Sequence, residues 1–149
     1  MHLSSPLSLL SFEWAWREIG ARPDSAAELH RTLLAAYAEP HRHYHSQQHL
    51  AECLQSFEKV QALAQRPAEV ALALWFHDAV YEVKRGDNEE QSALWARRAL
   101  QEAAVPAEAV QRVFELVMVT RHSQLPAAGD PQLLVDIDLS ILGAPEPRF

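Results

Sequence analysis

In the segment ALALWFHDAV, residues 71–80, a run of apolar and aromatic side chains is interrupted by an ionisable pair, His77 and Asp78. The surrounding stretch from Ala68 to about Tyr81 predicts a helix that is apolar almost all round, and such a helix lies in the middle of a core. Leaving either ionisable group unpaired there would cost several kcal/mol. The pair therefore needs a partner inside the fold.

A metal ion is one partner that suits His77 and Asp78 together. Adjacent residues point about 100° apart around a helix, so both side chains reach a common point only near the helix flank. Imidazole nitrogen and carboxylate oxygen both coordinate divalent ions, and a cation offsets the cost of burying a carboxylate. The alternative is a salt bridge for Asp78, at a helix N-terminus or between helices, which explains the interrupted apolar face less well.

Helical spacing of apolar residues continues along the rest of the chain, while strand-like alternation is scarce and only four glycines occur. The predicted fold is all-α, with about seven helices. Capping boxes are expected at Ser25 with Glu28 and at Asp87 with Glu90. The predicted helices are Leu9–Ile19, Asp24 or Ser25 to Pro40, Ser46–Arg66, Ala68–Tyr81, Asp87–Leu100, Pro106–Thr120 and Asp130–Gly143.

Length and composition predict one soluble domain over residues 1–149, with 48% hydrophobic and 22% charged residues. A net charge of -7 argues against a nucleic-acid polymer or an anionic membrane surface as partner. No leader peptide or membrane-spanning run is recognisable. The single cysteine, Cys53, excludes a disulfide framework and a cysteine-based zinc site, and it suits the reducing cytoplasm.

Four of the eight histidines fall in HRHYHSQQH, residues 41–49. For His41 and His43 a solvated loop is the favoured interpretation. His49 lies four residues before Cys53, which places it on the buried stripe of the predicted helix. His45 shares that face, and two histidines at this spacing can share a metal or divide the roles of ligand and proton donor. The alternative for His49 is a core histidine bonded to a backbone carbonyl.

Two further acids interrupt the apolar helix LLVDIDLSILG, residues 133–143. Asp138 shares the stripe of Leu134 and Ile137, whereas Asp136 lies on a flank, where it is either an outer contact to the site or exposed. A buried acid needs a cation, and this helix contains no lysine or arginine. Asp138 is therefore the last candidate metal ligand.

In this order, His49, His77-Asp78 and Asp138 resemble the H…HD…D signature of the HD superfamily of metal-dependent phosphohydrolases. Residues 44–49, YHSQQH, are similar to the YHNxxH element of the cyclic-nucleotide phosphodiesterases in that superfamily, and residues 138–140 to their Asp-Leu-Ser element. A group of small predicted HD phosphohydrolases shares the patterns PHRxYH, WFHDAVY, DNEExSA and DxDLxILG. They correspond to residues 40–45, 75–81, 87–93 and 136–143, and residues 120–122 resemble another shared element.

The resemblance implies an HD-type helical bundle that holds one divalent metal ion, Mn, Fe, Zn or Mg, through His49, His77, Asp78 and Asp138. Asp78 belongs to the catalytic residues, together with His45 as proton donor to the leaving oxygen. The implied reaction is hydrolysis of a nucleotide or another small phosphoester.

Several other residues have an ordinary structural explanation beside the functional one. Arg42 could bind a phosphate oxygen through its guanidinium, or be solvated in a loop. His122 could contact phosphate or a second metal, or interact with a helix C-terminus. Asp87 and Glu90 are first a capping pair and second candidates for outer contacts to the metal or its water.

Members of the small HD group usually continue for several helices beyond the last motif, whereas this chain ends in APEPRF. We therefore expect the C-terminal helices of the family to be absent, and apolar surface left exposed to favour a homodimer. One alternative function is a metal- or nucleotide-binding sensor or interaction module without turnover. Another is a helical adaptor that binds no ion.

Overall fold

The computed structural model describes residues 5–40, 46–82, 86–121 and 125–142. Within them the chain folds into seven α-helices and two short 3-10 turns, and no strand is present in these ranges, which confirms the predicted all-α bundle. The helices are α1 (Leu9–Glu18), α2 (Ala26–Tyr37), α3 (Gln47–Val60), α4 (Pro67–Phe76), α5 (Asn88–Glu102), α6 (Ala107–Val119) and α7 (Asp130–Leu142).

Helix α4 is the centre of the bundle, as its nearly uniform apolar composition predicts. Every residue from Ala68 to Phe76 is buried, and α1, α3, α5, α6 and α7 all contact this helix. The Trp75 ring meets the Phe12 ring edge-on, with 5.2 Å between ring centroids, and Phe12 stacks on Trp16 at 5.5 Å. Burying each of these aromatic side chains contributes roughly 1.5–3 kcal/mol, so α4 organises the core.

The prediction that this helix continues to about Tyr81 is wrong, because α4 ends at Phe76 and His77 is its C-cap. A continued helix would join the Asp78 N–H to the Leu74 carbonyl. That carbonyl instead lies 2.6 Å from Nδ1 of His77, and the Asp78 N–H donates to the Tyr37 hydroxyl at 3.1 Å. Side chains thus replace the backbone bonds that would extend the helix.

Two predicted capping boxes are also absent. Ser25 is the N-cap of α2, but its side chain makes no capping bond, because a 3-10 turn at Pro23–Ser25 leads directly into the helix. Asp87 is the N-cap of α5, and its carboxylate accepts a bond from the Gln91 side chain at 3.1 Å instead of capping the backbone.

The third helix is shorter than its pattern predicts, since α3 ends at Val60 and a 3-10 turn follows at Gln61–Leu63. Asp130, the first residue of α7, accepts hydrogen bonds from the backbone N–H groups of Gln65 and Arg66 at 2.8 and 3.0 Å. The start of α7 is thereby tied to the segment before α4, while α7 also packs along α3. Among the helices in the described part of the chain, none has both the length and the apolar character that crossing a bilayer requires.

Candidate metal centre

Three separate elements bring four ionisable side chains to one point: α3 carries His49, the turn after α4 carries His77 and Asp78, and α7 carries Asp138. Nε2 of His49 lies 3.1 Å from Oδ1 of Asp138 and 3.6 Å from Oδ2 of Asp78. Nε2 of His77 lies 3.3 Å from Oδ2 of Asp78 and 3.4 Å from Oδ1 of Asp138. The two Nε2 atoms are 3.4 Å apart, so the four atoms form one tight cluster.

These separations fit ligand atoms around a single ion. Nitrogen and oxygen ligands that lie about 2.0–2.2 Å from an ion, at tetrahedral or octahedral angles, are roughly 2.8–3.6 Å from one another. All the distances above fall in that interval. The end of α4 before His77 makes this possible, because neighbouring residues outside a helix can turn both side chains toward a common point.

The orientation of His77 also suits a metal ligand. Its Nδ1 lies 2.6 Å from the Leu74 carbonyl oxygen, which can only accept a hydrogen bond, so the neutral ring carries its proton on Nδ1. Nε2 then presents a lone pair to the cluster. Histidines that bind metals commonly have their other ring nitrogen fixed in this way.

The electrostatics of the cluster favour positive charge at its centre. Burial alone favours the neutral ring of His77, but Asp78 and Asp138 outweigh it and hold the pKa of His77 well above the ordinary value of 6.5. Burial likewise opposes ionisation of Asp138, yet hydrogen bonds from His49 and His77 hold the pKa of its carboxyl well below 3.8. A proton on His77 can therefore supply the positive charge that a bound cation would otherwise bring.

Cys53 lies in the same cluster, although its sequence context predicts only a buried core residue. Its Sγ lies 3.6 Å from Nε2 of His49, one helical turn earlier on α3. Ligand atoms of His49, Cys53, His77 and Asp138 all lie within 4.8 Å of one another, and all four residues are buried, so this group could hold a metal ion. Burial raises the pKa of the Cys53 thiol to about 12.

The four-residue spacing of His49 and Cys53 predicts that His49 lies on the buried face of its helix, and the same spacing places the thiol on the face that carries the imidazole. Counting cysteines rules out a site made only of cysteines, but it does not exclude a mixed site in which a single thiol joins histidines and carboxylates.

Side chains from α2 and α5 hold the turn that carries His77 and Asp78. The Tyr37 hydroxyl donates to the Trp75 carbonyl at 2.9 Å and accepts from the Asp78 N–H at 3.1 Å. The hydroxyl of Ser92 lies 3.0 Å from the backbone N and 3.4 Å from the carbonyl oxygen of Val80.

Asn88 is the third side chain that holds this turn, because its amide bonds both the N–H and the carbonyl of Glu82, each at 3.1 Å. In the segment DNEEQSA, Asn88 and Ser92 are thus the residues that support the centre, because they fix the backbone of the preceding turn. The sequence pattern instead indicates Asp87 and Glu90.

The remaining predicted site residues are exposed or partly buried, or lie outside the described residues. Asp136 and Glu90 are exposed, and Asp87 is partly buried beside Gln91. Exposure is one of the two alternatives predicted for Asp136. The predicted roles of Arg42, His45 and His122, and the loop predicted for His41 and His43, concern positions outside the described residues.

A large cleft lies away from the centre. It measures about 810 Å³, contacts α4, α6 and the segment before α7, and none of the five clustered residues lines it. A large volume does not by itself indicate a catalytic site, and the buried carboxylate that lines this cleft, Glu69, is paired with Arg112. The side chains that could hold a metal ion lie in the cluster instead.

Comparison of the chain with protein-family models, with curated proteins and with solved structures found no match in any of the three. The resemblance of the motifs to the HD superfamily therefore stays a prediction from the residues.

Proposed function

We propose that the protein is a metal-dependent phosphohydrolase of the HD type, which acts on a nucleotide or another small phosphoester. The observation that carries the proposal is the convergence of His49, His77, Asp78 and Asp138 at separations of 3.1–3.6 Å. These four residues would hold one divalent ion, and an ion bound there would supply a Lewis acid that polarises a phosphoryl oxygen and acidifies a water molecule.

The charge of the cluster explains why substrate binding would depend on metal. Two carboxylates, Asp78 and Asp138, would repel a phosphoester at a distance of a few ångströms. The chain as a whole carries a net charge of -7, which offers no general attraction to an anion. Only a loaded centre would attract phosphate.

Asp78 has the position of a general base. Its side chain is 14% exposed, against 1–5% for those of His49, His77 and Asp138, so solvent reaches the centre on its side. A carboxylate there can orient a water and accept its proton. His77 and Asp138, which are nearly inaccessible, would serve as ligands, and His45, four residues before His49 in sequence, would protonate the leaving oxygen.

The test is hydrolysis of a panel of nucleotides and simple phosphoesters by protein from which metal is first removed and then restored. We expect phosphate release that needs a divalent ion and is lost in Asp138→Asn. The control is Asp136→Asn, which makes the same charge change on the same helix at an exposed position and should behave as wild type. Metal-independent hydrolysis, or equal loss in both variants, would contradict the proposal.

A second candidate is a metal-binding module without turnover. The burial of His49, Cys53, His77 and Asp138 favours it, because four protein ligands around one ion leave no open position for substrate in a tetrahedral site. Saturable metal binding without phosphate release from any member of the panel would select this function over hydrolysis.

A further inference from the structure

We infer that Cys53 is a direct thiolate ligand of the metal centre, and that the centre therefore selects a borderline transition metal such as zinc, cobalt or iron over magnesium or manganese. This inference rests on the proposed metal centre and deepens it, since the four motif residues alone fit hard and borderline ions equally well.

The position of the sulfur carries the first step. Sγ of Cys53 lies 3.6 Å from Nε2 of His49 and within 4.8 Å of the ligand atoms of His77 and Asp138. Around an ion with bonds of about 2.3 Å to sulfur and about 2.0–2.1 Å to nitrogen, the two atoms lie roughly 3.5 Å apart at a tetrahedral angle. The observed spacing is that of two ligands of one ion.

The place of Cys53 on its helix supports the same conclusion. Residues four apart on a helix lie on one face, so α3 presents the imidazole of His49 and the thiol of Cys53 side by side. Neighbouring buried positions of α3 carry only hydrocarbon, at Leu50, Leu54 and Phe57. A hydrocarbon side chain at position 53 would fill the core equally well. The thiol of Cys53 instead lies beside three potential metal ligands, His49, His77 and Asp138.

The chemistry of the thiol then determines the class of metal. On binding, the Cys53 S–H bond breaks, its electron pair forms the sulfur–metal bond, and the proton passes to solvent water. Thiolates are soft ligands that favour zinc, iron and cobalt, whereas magnesium takes oxygen ligands and keeps several waters. A centre containing this sulfur would discriminate against the harder ions.

Cobalt(II) titration of the metal-free protein tests the inference. Cys53 is the only cysteine in the chain, so an intense thiolate-to-cobalt charge-transfer band in the near ultraviolet can have no other origin. We expect that band in the wild type and its loss in Cys53→Ser and Cys53→Ala, which still take up cobalt through the remaining ligands. Removing even an outer contact of a metal site costs roughly 10–100-fold in affinity, so zinc affinity should fall at least tenfold while magnesium affinity stays the same.

The outcomes separate this inference from the proposed function. Visible cobalt bands without the charge-transfer band in the wild type would show a nitrogen and oxygen site, which overturns the role of Cys53 and leaves the metal centre intact. No uptake of cobalt would overturn both. Because the wild-type spectrum alone decides, the test does not depend on the folding of either variant.

Discussion

Two ends of α4 bury a carboxylate group in different ways. Near its N-terminal end, Glu69 is 7% exposed and receives two hydrogen bonds of 2.8 Å from the Arg112 guanidinium of α6. Beyond its C-terminal end, Asp78 and the facing Asp138 lie beside the imidazoles of His49 and His77. One end carries a permanent cation, and the other carries groups that are positive only when protonated.

This difference separates a structural ion pair from a candidate functional centre. Arginine stays charged at any ordinary pH, so Glu69 is compensated under all conditions. An imidazole is positive only when protonated, and a ring nitrogen without its proton can instead bind a metal ion. The ion pair of Glu69 is therefore fixed, whereas either a proton or the proposed metal ion could supply the positive charge in the cluster.

The largest expected effect comes from removing one imidazole. His77→Gln should weaken divalent metal binding by at least about 100-fold, because a direct ligand contributes more than the outer contacts whose loss costs roughly 10–100-fold. Calorimetric titration of metal into the metal-free variant measures this. Arg112→Leu, which disrupts the other end of α4, should leave metal affinity unchanged; a similar loss in both variants would mean that the comparison is false.

The second prediction concerns the contribution of the Glu69–Arg112 ion pair to the stability of the fold. Arg112→Leu leaves Glu69 buried without its guanidinium, and we expect the free energy of unfolding to fall by roughly 2–3 kcal/mol. This is less than for a fully buried pair, since the Arg112 side chain is 38% exposed. Urea denaturation measures the change, and the exposed Arg98→Leu should shift it by no more than about 0.5 kcal/mol. Equal effects of the two variants would show that the Glu69 pair contributes nothing.

The third prediction concerns pH. Since the pKa of His77 is raised well above 6.5, its protonated ring stabilises the metal-free protein fully below about pH 6.5, and this contribution is lost as pH rises through the folded value. The lowered pKa of Asp138 contributes above about pH 3.8 and is lost as pH falls through its folded value.

Metal binding displaces the proton of His77 and, by the inference above, that of Cys53, so below the folded pKa of His77 the metal affinity should fall roughly 100-fold for each unit by which the pH is lowered. The melting temperature of loaded protein should therefore exceed that of metal-free protein by a margin that grows as pH rises. Melting curves with and without metal from about pH 5 to about pH 9 measure this margin. A margin independent of pH would exclude competition between proton and metal.

The smallest effect is expected from the side chains that hold the turn after α4. Tyr37→Phe removes the hydroxyl that bonds the Trp75 carbonyl and the Asp78 N–H, which should cost about 1–2 kcal/mol in unfolding free energy and about tenfold in metal affinity. Ser92→Ala removes the hydroxyl that bonds the backbone of Val80, two residues after Asp78, and should lower metal affinity less than Tyr37→Phe does. A loss of stability with no change in metal affinity would mean that Tyr37 supports the fold but does not position the centre.

Much of this architecture could be predicted from local patterns. The uniform apolar character of α4 gives its central place, and helical spacing puts His49 and Asp138 on buried faces. The end of α4 at Phe76 could not be predicted, because the Tyr37 hydroxyl that accepts the Asp78 N–H is distant in sequence and acts through a tertiary hydrogen bond. Local propensity carries no information about such partners.

The candidate site was predicted to the extent that it depends on residue type and helix face. Its four candidate ligands are ionisable residues at positions where the helical pattern predicts a buried side chain. The fold brings these four residues, His49, His77, Asp78 and Asp138, together. Cys53 was missed because a buried cysteine is an ordinary core residue. Helical spacing puts Cys53 on the same face as His49, but only the three-dimensional arrangement shows that its sulfur also lies near the ligand atoms of His77 and Asp138.

We propose that side chains from α3, α7 and the turn after α4 hold one divalent ion, and anomalous diffraction from crystals of the loaded protein can locate that ion. We expect a single peak bonded to His49, His77, Asp78 and Asp138, at about 2.0–2.2 Å from each of their coordinating atoms. Loaded crystals with no peak among these four side chains, or with the ion bound elsewhere on the chain, would contradict it.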